Sequence, residues 1–115
     1  MFVGYVVLAL LLAVVLAMSG FGKLTRDPKI TASLQKAGVP LHWFPPLAGC
    51  EIAGAVGLVV GIWLAPLGVA AATGVTLYFV GAVVAHLRAR DLAGLGAPVV
   101  VLAVAVATLV LRLAA

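Results

Sequence analysis

The chain has 115 residues, of which 66% are hydrophobic and only 9% are charged. A soluble domain carries about 25% charged residues, so this composition excludes an ordinary soluble globular protein and indicates a membrane protein. The formal net charge of +4 comes from basic residues in short segments between apolar runs. That arrangement favours an anionic lipid surface over nucleic acid as the partner of these residues. The single cysteine, Cys50, excludes an internal disulfide and a cysteine-based zinc site.

Four apolar segments are long enough to cross a bilayer, which takes about 20 residues for roughly 30 Å of hydrocarbon. They cover residues 2–21, 46–64, 66–87 and 97–113. The sequence therefore predicts a single all-α domain over residues 1–115, an integral membrane four-helix bundle. The first segment loosely fits a secretory signal peptide, but it lacks the basic residues that precede one, so we expect it to be the first spanning helix.

Proline residues indicate where these helices begin. Between Glu51 and Arg88 there is no charged residue, and this stretch is too long for one span. Pro66 predicts a tight turn within it. Pro46 and Pro98 suit the first turn of a helix, where a missing N–H costs little. The second and third spans are therefore predicted to be joined by a short connection.

The basic residues predict the orientation of the bundle. A tight turn after the second span puts loops 22–45 and 88–96 on the same side of the membrane. These loops hold six of the seven basic residues, and Arg112 is the seventh. By the positive-inside rule this side is cytoplasmic, so we expect a multi-pass membrane protein with both termini outside.

The first cytoplasmic loop is predicted to contain a short helix over residues 28–37. Asp27 is expected to cap its N-terminus, Pro28 fits its first position, and Gly38 is expected to stop it. Apolar residues on one face, with charged residues elsewhere, suit an interfacial helix rather than a span. The apolar face consists of Ile30, Leu34 and Ala37.

Glu51 is the most informative residue, because a carboxylate within an apolar helix costs about 2.5–3.5 kcal/mol on insertion scales and normally faces protein. Lys23 ends the first span, and His86 and Arg88 end the third, so all three come from the same side of the membrane. Tyr78, about 12 Å deeper than His86, could add a hydroxyl to the cluster. The sequence predicts that these groups converge on one candidate site.

Two interpretations of this cluster stay open. Glu51 could line a pocket that binds a ligand or handles protons, or it could only pin helices together through a buried ion pair. In the second case Arg88 would extend to the membrane surface and His86 would lie at the interface. His86 and Arg90 are four residues apart and could share a helical face. A metal site on Glu51 and His86 is a weaker hypothesis, because two ligands do not define a site. No set of catalytic residues is predicted.

Small residues on the second and third spans predict close packing between helices. A dinucleotide-binding fingerprint is excluded, because Ile52 occupies a required glycine position and no strand precedes the run. The small residues are Ala53, Gly54, Gly57 and Gly61 on the second span and Ala70, Gly74 and Gly81 on the third.

Three features carry a family resemblance: the segment 19–24 (SGFGKL), Glu51 in a glycine-rich helix, and the segment 81–91 (GAVVAHLRARD) with Pro98 following. Over nearly the whole chain, the sequence resembles the DoxX-like family of small bacterial four-helix membrane proteins. The resemblance implies a place in the bacterial plasma membrane. The residues that match the polar positions of the family are Lys23, Glu51, His86, Arg88 and Asp91.

The resemblance also implies a redox connection, because the family is named after a subunit of a terminal quinol oxidase and some relatives are linked to oxidative-stress responses. The haem or copper ligands of an oxidase core are absent from this sequence. We therefore expect a non-enzymatic accessory or binding subunit that holds a lipophilic molecule or a membrane partner near Glu51. Quinone or lipid would suit apolar walls, and no other cofactor is evident.

Three alternatives remain open at this point. The chain could be a membrane subunit of a quinol oxidoreductase or oxidative-stress complex, an oligomeric proton-coupled transporter, or a purely structural subunit. Its glycine-rich faces would also suit a homo-oligomer or a larger membrane complex.

Overall fold

The computed structural model describes residues 1–114, which contain five α-helices and no strand. Short 3-10 segments, Leu41–Trp43 and Leu92–Leu95, precede the third and fifth helices. The predicted all-α fold is confirmed. The helices are α1 (Phe2–Leu24), α2 (Pro28–Lys36), α3 (Phe44–Val60), α4 (Ala65–Arg88) and α5 (Gly96–Ala114).

Four of these helices are long and apolar enough to cross a membrane, as the sequence predicts. α3 ends at Val60, earlier than the predicted end at residue 64. The chain turns over the next four positions, where Leu64 is extended, and Pro66 then lies in the first turn of α4. The second span is correspondingly extended at its other end, because α3 begins at Phe44.

The four long helices pack as a ring. α1 contacts α3 and α5, and α4 contacts the same two helices. Many large apolar side chains of the bundle are exposed, among them Val14, Met18 and Leu77. So much exposed apolar surface is unsuitable for water but suits the hydrocarbon of a bilayer. The buried core includes Tyr5, Ala9, Leu12 and Leu16 of α1, Leu58 of α3, Ala72 and Val75 of α4, and Ala105 of α5.

The short helix α2 begins and ends with the signals that predict it. The Asp27 carboxylate accepts hydrogen bonds from the backbone N–H groups of Lys29 (3.0 Å) and Ile30 (3.4 Å). α2 ends at Lys36, and Gly38 has a φ of 84°, a left-handed conformation that favours glycine. The helix is therefore capped at both ends by local sequence.

The apolar face of α2 packs against the bundle itself. Ile30 and Leu34 are half-buried and Ala37 is buried. Gly22 of α1 leaves room for Ile30, since a Cβ at position 22 would collide with the Ile30 side chain. α2 thereby covers the end of the bundle at which α1 ends and α3 begins.

The predicted close packing of α3 is found, with glycine residues facing α4. A Cβ at Gly57 would lie 2.8 Å from the Cβ of Ala71, and a Cβ at Gly61 would lie 2.7 Å from the backbone nitrogen of Gly68. The prediction for α4 was wrong at Ala70, Gly74 and Gly81, none of which packs closely against α3. A Cβ at Gly74 would meet no other atom of residues 1–114 within 4 Å. The same applies to Gly81, and Ala70 is exposed.

Candidate functional site

Glu51 lies in α3 about two turns from its start and is buried, with 1% of its surface exposed. Its Oε1 atom pairs with the Nζ atom of Lys23 and accepts a hydrogen bond from the hydroxyl of Tyr78 (3.0 Å). Lys23 also donates to the hydroxyl oxygen of Ser19 (2.8 Å). A single buried carboxylate therefore ties α1, α3 and α4 together. We call these four residues the Glu51 cluster.

The Lys23 ammonium is also buried, with 5% of the residue exposed. Two charges removed from water are tolerated when they pair closely and are further hydrogen-bonded, which Ser19 and Tyr78 achieve here. This accounts for the presence of a charge at Glu51 inside an apolar helix.

The other carboxylate oxygen of Glu51, Oε2, is sealed from solvent and has no hydrogen-bond partner within residues 1–114. Buried carboxylate oxygens are normally hydrogen-bonded, so an unpartnered one needs an explanation. Glu51 also lines a cleft of about 610 Å³ between α3 and α4, which we call the α3–α4 cleft. The remaining walls are mostly apolar or glycine and include Gly54, Gly57, Leu67, Ala71, Gly74 and Leu77.

A second polar cluster lies where α4 ends. The Nδ1 atom of His86 is 2.8 Å from Oδ2 of Asp91, and both residues are buried. The Oδ1 atom of Asp91 accepts a hydrogen bond from the backbone N–H of Gly94 (3.1 Å) and lies 3.2 Å from the ammonium of Lys36 in α2. The hydrogen bond with His86, together with that from Lys36, holds the pKa of Asp91 below its ordinary value, although burial acts in the opposite direction. We call these four residues the His86 cluster.

The two clusters are separate but face a common space. No hydrogen bond or ion pair within residues 1–114 joins His86 to Glu51. A cavity of about 250 Å³ beneath α2, which we call the α2 cavity, is lined by Lys23, His86 and Tyr78. The predicted convergence of Lys23, Tyr78 and Glu51 is therefore direct, whereas His86 approaches them only across this cavity.

Two sequence expectations about the end of α4 were wrong. Arg88 is exposed and makes no hydrogen bond or ion pair with the described chain. It lies two positions after His86, and residues two positions apart on a helix point about 200° apart. It therefore points away from His86. Arg90 does not share a helical face with His86, because α4 ends at Arg88 and Arg90 has a φ of 55°.

The opposite end of the bundle has polar contacts that the sequence analysis did not predict. The Tyr5 hydroxyl donates to the carbonyl oxygen of Leu58 (2.8 Å), and Nε of Arg112 donates to the carbonyl oxygen of Gly61 (3.0 Å). The Arg112 guanidinium also lies 5.3 Å from the centre of the Tyr5 ring. The signal available in the sequence was the lone charge of Arg112 in an apolar span.

The described part of the chain contains no group of three or more histidine, cysteine, aspartate or glutamate residues that could hold a metal ion. Cys50 is a free thiol that is exposed beside Glu51 and lines the α3–α4 cleft. The carboxylate, imidazole and phenol groups of the two clusters can form hydrogen bonds and exchange protons.

Four membrane-length helices around a buried lysine–glutamate pair define a small multi-pass membrane protein. The sequence model of the DoxX-like family matches residues 7–108, and the chain belongs to this family. The matched region includes both polar clusters. Searches of curated proteins and of solved structures gave no significant match.

Proposed function

We propose that this DoxX-like protein is a non-enzymatic binding or accessory subunit that holds a lipophilic molecule in the α3–α4 cleft. The observation that supports the proposal best is the unpartnered Oε2 of Glu51. Because Oε2 is sealed in the ligand-free protein, a ligand group would reach it only after the side chains that line the cleft shift. A hydrogen bond donated to it there would complete the set of contacts that a buried carboxylate normally has.

The cleft has the size and chemistry of a site for a lipid-soluble molecule. Its volume of about 610 Å³ lies within the roughly 300–1,000 Å³ of ligand pockets. Apolar residues would hold a hydrocarbon tail, and the polar end would meet Glu51. A quinone in its reduced form, or a lipid with a hydroxyl or amine group, has a suitable donor.

The carboxylate is oriented before any ligand arrives. Lys23 and Tyr78 both hold Oε1, which leaves Oε2 free to accept. Preorganisation of this kind lowers the entropy cost of binding, because the receiving group is already fixed.

Native mass spectrometry from mild detergent tests the proposal, with every co-purified small-molecule mass recorded. Glu51→Gln removes the carboxylate, but it also breaks the pair with Lys23. Gly74→Leu is the sharper variant, because position 74 lines the cleft and has open space around it. A leucine there should obstruct the cleft and leave the Glu51 cluster intact. Gly81→Leu is its matched control, since position 81 is equally open but does not line this cleft.

We expect a lipophilic adduct in the wild type and in Gly81→Leu that is lost in Gly74→Leu and Glu51→Gln. A wild type that carries no adduct, or an adduct that survives in all four proteins, would contradict the proposal. Glu51 would then act only as a contact that holds the helices together.

We also infer that the end of the bundle with both polar clusters faces the cytoplasm and that both termini lie outside. The ends of α1 and α4 and the starts of α3 and α5 lie at this end. Six of the seven basic residues are in the loops there, which supports the orientation. Alkaline phosphatase fused after residue 115 should be active in a bacterial host, and a fluorescent protein fused there should be dark. The reverse pair of results would invert the topology.

Two other functions have distinct tests. A subunit of a redox complex in the membrane would co-purify with a coloured partner or show the absorption of haem or flavin. An oligomeric proton-coupled transporter would give a proton flux that depends on Glu51.

A further inference from the structure

Asp91 fixes which nitrogen of His86 carries the proton in the neutral ring. The Nδ1 atom of His86 lies 2.8 Å from Oδ2 of Asp91, and the lowered pKa of Asp91 keeps that carboxylate ionised. An ionised carboxylate only accepts hydrogen bonds, so Nδ1 must be the donor. In a neutral imidazole the other nitrogen, Nε2, then has a free lone pair.

The Nε2 atom of His86 has no partner in the described part of the chain and is not sealed. It makes no hydrogen bond within residues 1–114. Two side-chain atoms of residues 1–114 are sealed from solvent without a hydrogen-bond partner, Oγ1 of Thr31 and Oε2 of Glu51. Nε2 of His86 is not one of them, so it is not sealed. His86 as a whole is only 6% exposed, and it lines the α2 cavity. A buried imidazole with an unoccupied acceptor therefore borders a space of about 250 Å³.

The other walls of this cavity indicate the ligand chemistry. They are mainly apolar, and no acidic residue is among them. Lys23 is the one charged group in the lining, and its charge is already balanced by Glu51. A further anion would find no free counter-charge there, so a neutral polar group fits better.

We propose that His86 forms a second binding site, in which Nε2 accepts a hydrogen bond from the hydroxyl end of a neutral lipid-soluble molecule in the α2 cavity. Asp91 is a positioning residue in this site. The inference goes beyond the proposed function, because the ligand would bond to His86 and not to Glu51, and no hydrogen bond or ion pair within residues 1–114 joins the two clusters.

Asp91→Asn tests whether Asp91 sets the position of the ring proton of His86, an effect that a merely structural residue would not have. The position of Oδ1 faces two donors, the Gly94 N–H and the Lys36 ammonium, so the amide oxygen of asparagine should take that place. The amide NH₂ group would then face Nδ1 of His86, which must become an acceptor. The ring proton moves to Nε2, and the site changes from an acceptor to a donor.

Nitrogen NMR of histidine-labelled protein reads this change directly. The chain has two histidines, and His42→Gln leaves His86 as the only one. The spectrum should be recorded at about pH 9, well above the ordinary imidazole pKa of about 6.5. We expect the proton on Nδ1 in this background and on Nε2 when Asp91→Asn is added. A proton on Nε2 before that change would overturn the proposal.

Binding is measured in the Gly74→Leu background, in which the α3–α4 cleft is obstructed. The probes are decylhydroquinone, its dimethyl ether and decylbenzoquinone, each titrated without oxygen and followed by native mass spectrometry. Decylhydroquinone should bind about fivefold more tightly than its dimethyl ether, the effect of one hydrogen bond. Asp91→Asn should remove this preference and strengthen the binding of decylbenzoquinone, because hydroxyl, ether and carbonyl oxygens can all accept from an Nε2–H donor.

His86→Leu should abolish the preference for the hydroxyl compound, and circular dichroism checks that this variant folds. A parallel titration with dioleoylglycerol shows whether the ligand is a lipid with a hydroxyl group or a quinol. Binding of either compound supports the site. Equal binding of decylhydroquinone and its dimethyl ether, or a preference between them that Asp91→Asn leaves unchanged, would overturn the proposal. Neither result would affect the proposed role of Glu51, which is tested by the cleft variants.

Discussion

Gly61, the residue that follows α3, and Gly68 of α4 bring the two helices into backbone contact at the end of the bundle opposite Glu51. A Cβ at Gly61 would lie 2.7 Å from the nitrogen of Gly68 and 2.8 Å from the Tyr5 hydroxyl oxygen. Tyr5 and Arg112 hydrogen-bond to the last carbonyl groups of this part of α3. One end of the bundle is therefore held by backbone packing, and the other by buried charges.

Gly61→Ala should lower the stability of the bundle by about 1–3 kcal/mol, because the added methyl meets backbone atoms that cannot move aside. Thermal unfolding in detergent, followed by circular dichroism, measures the effect. Gly74→Ala is the matched control, since a Cβ at position 74 has open space around it and alanine favours a helix. Equal stability of the two variants would show that the close contact with Gly68 contributes nothing.

Lys23→Met should destabilise the protein by about 3–5 kcal/mol, because it leaves the Glu51 carboxylate buried without its counter-charge. Adding Glu51→Gln to Lys23→Met removes that charge and should restore most of the stability. The double-mutant cycle is measured by unfolding in detergent. Additive effects of the two changes would contradict a direct pair, whereas a strong coupling supports it.

Asp91 should make the stability of the protein depend on pH. Its pKa is held below the ordinary value of about 3.9 by His86 and Lys36. The ionised Asp91 carboxylate therefore contributes fully to the free energy of unfolding at a pH above its ordinary pKa. This contribution is lost as the pH falls through the lowered pKa. Acid unfolding of the wild type should show this loss, and Asp91→Asn should not. Parallel acid profiles for the two proteins would refute the assignment.

Gly94→Ala should separate His86 from Asp91. A Cβ at this position would lie 2.8 Å from Nδ1 of His86 and 2.8 Å from Cγ of Asp91. We expect loss of the hydrogen-bonded Nδ1 proton signal of His86 in NMR spectra. Gly96→Ala is the control, because a Cβ at Gly96 meets no other described atom within 4 Å. An unchanged signal in Gly94→Ala would mean that the cluster tolerates the methyl by a local shift.

The sequence predicts the four spans well because each is a long apolar run, and it predicts α2 because Asp27, Pro28 and Gly38 are local signals. It also indicates that Glu51 needs partners. It does not show that Lys36 reaches Asp91, because that contact joins two loops through tertiary packing. The sequence prediction also places Arg88 in the candidate site, although helix geometry alone sets Arg88 about 200° from His86.

Local sequence is also misleading where α1 ends. The chain continues through Arg26 with a φ of 55°, and the N–H of Asp27 donates to the carbonyl oxygen of Gly22 (2.8 Å). This is the hydrogen bond of a helix end at which glycine normally occupies the left-handed position. An arginine there carries an energetic penalty of about 1–2 kcal/mol that glycine avoids.

Arg26→Gly should therefore stabilise the protein by about 1 kcal/mol and raise its unfolding temperature in detergent by a few degrees. The gain is smaller than the full penalty, because glycine also loses more backbone freedom on folding. Arg26→Ala removes the same charge but keeps the Cβ, so it separates the backbone effect from the electrostatic one. We expect Arg26→Ala to leave the unfolding temperature nearly unchanged. Equal temperatures for the two variants would show that the left-handed residue carries no strain.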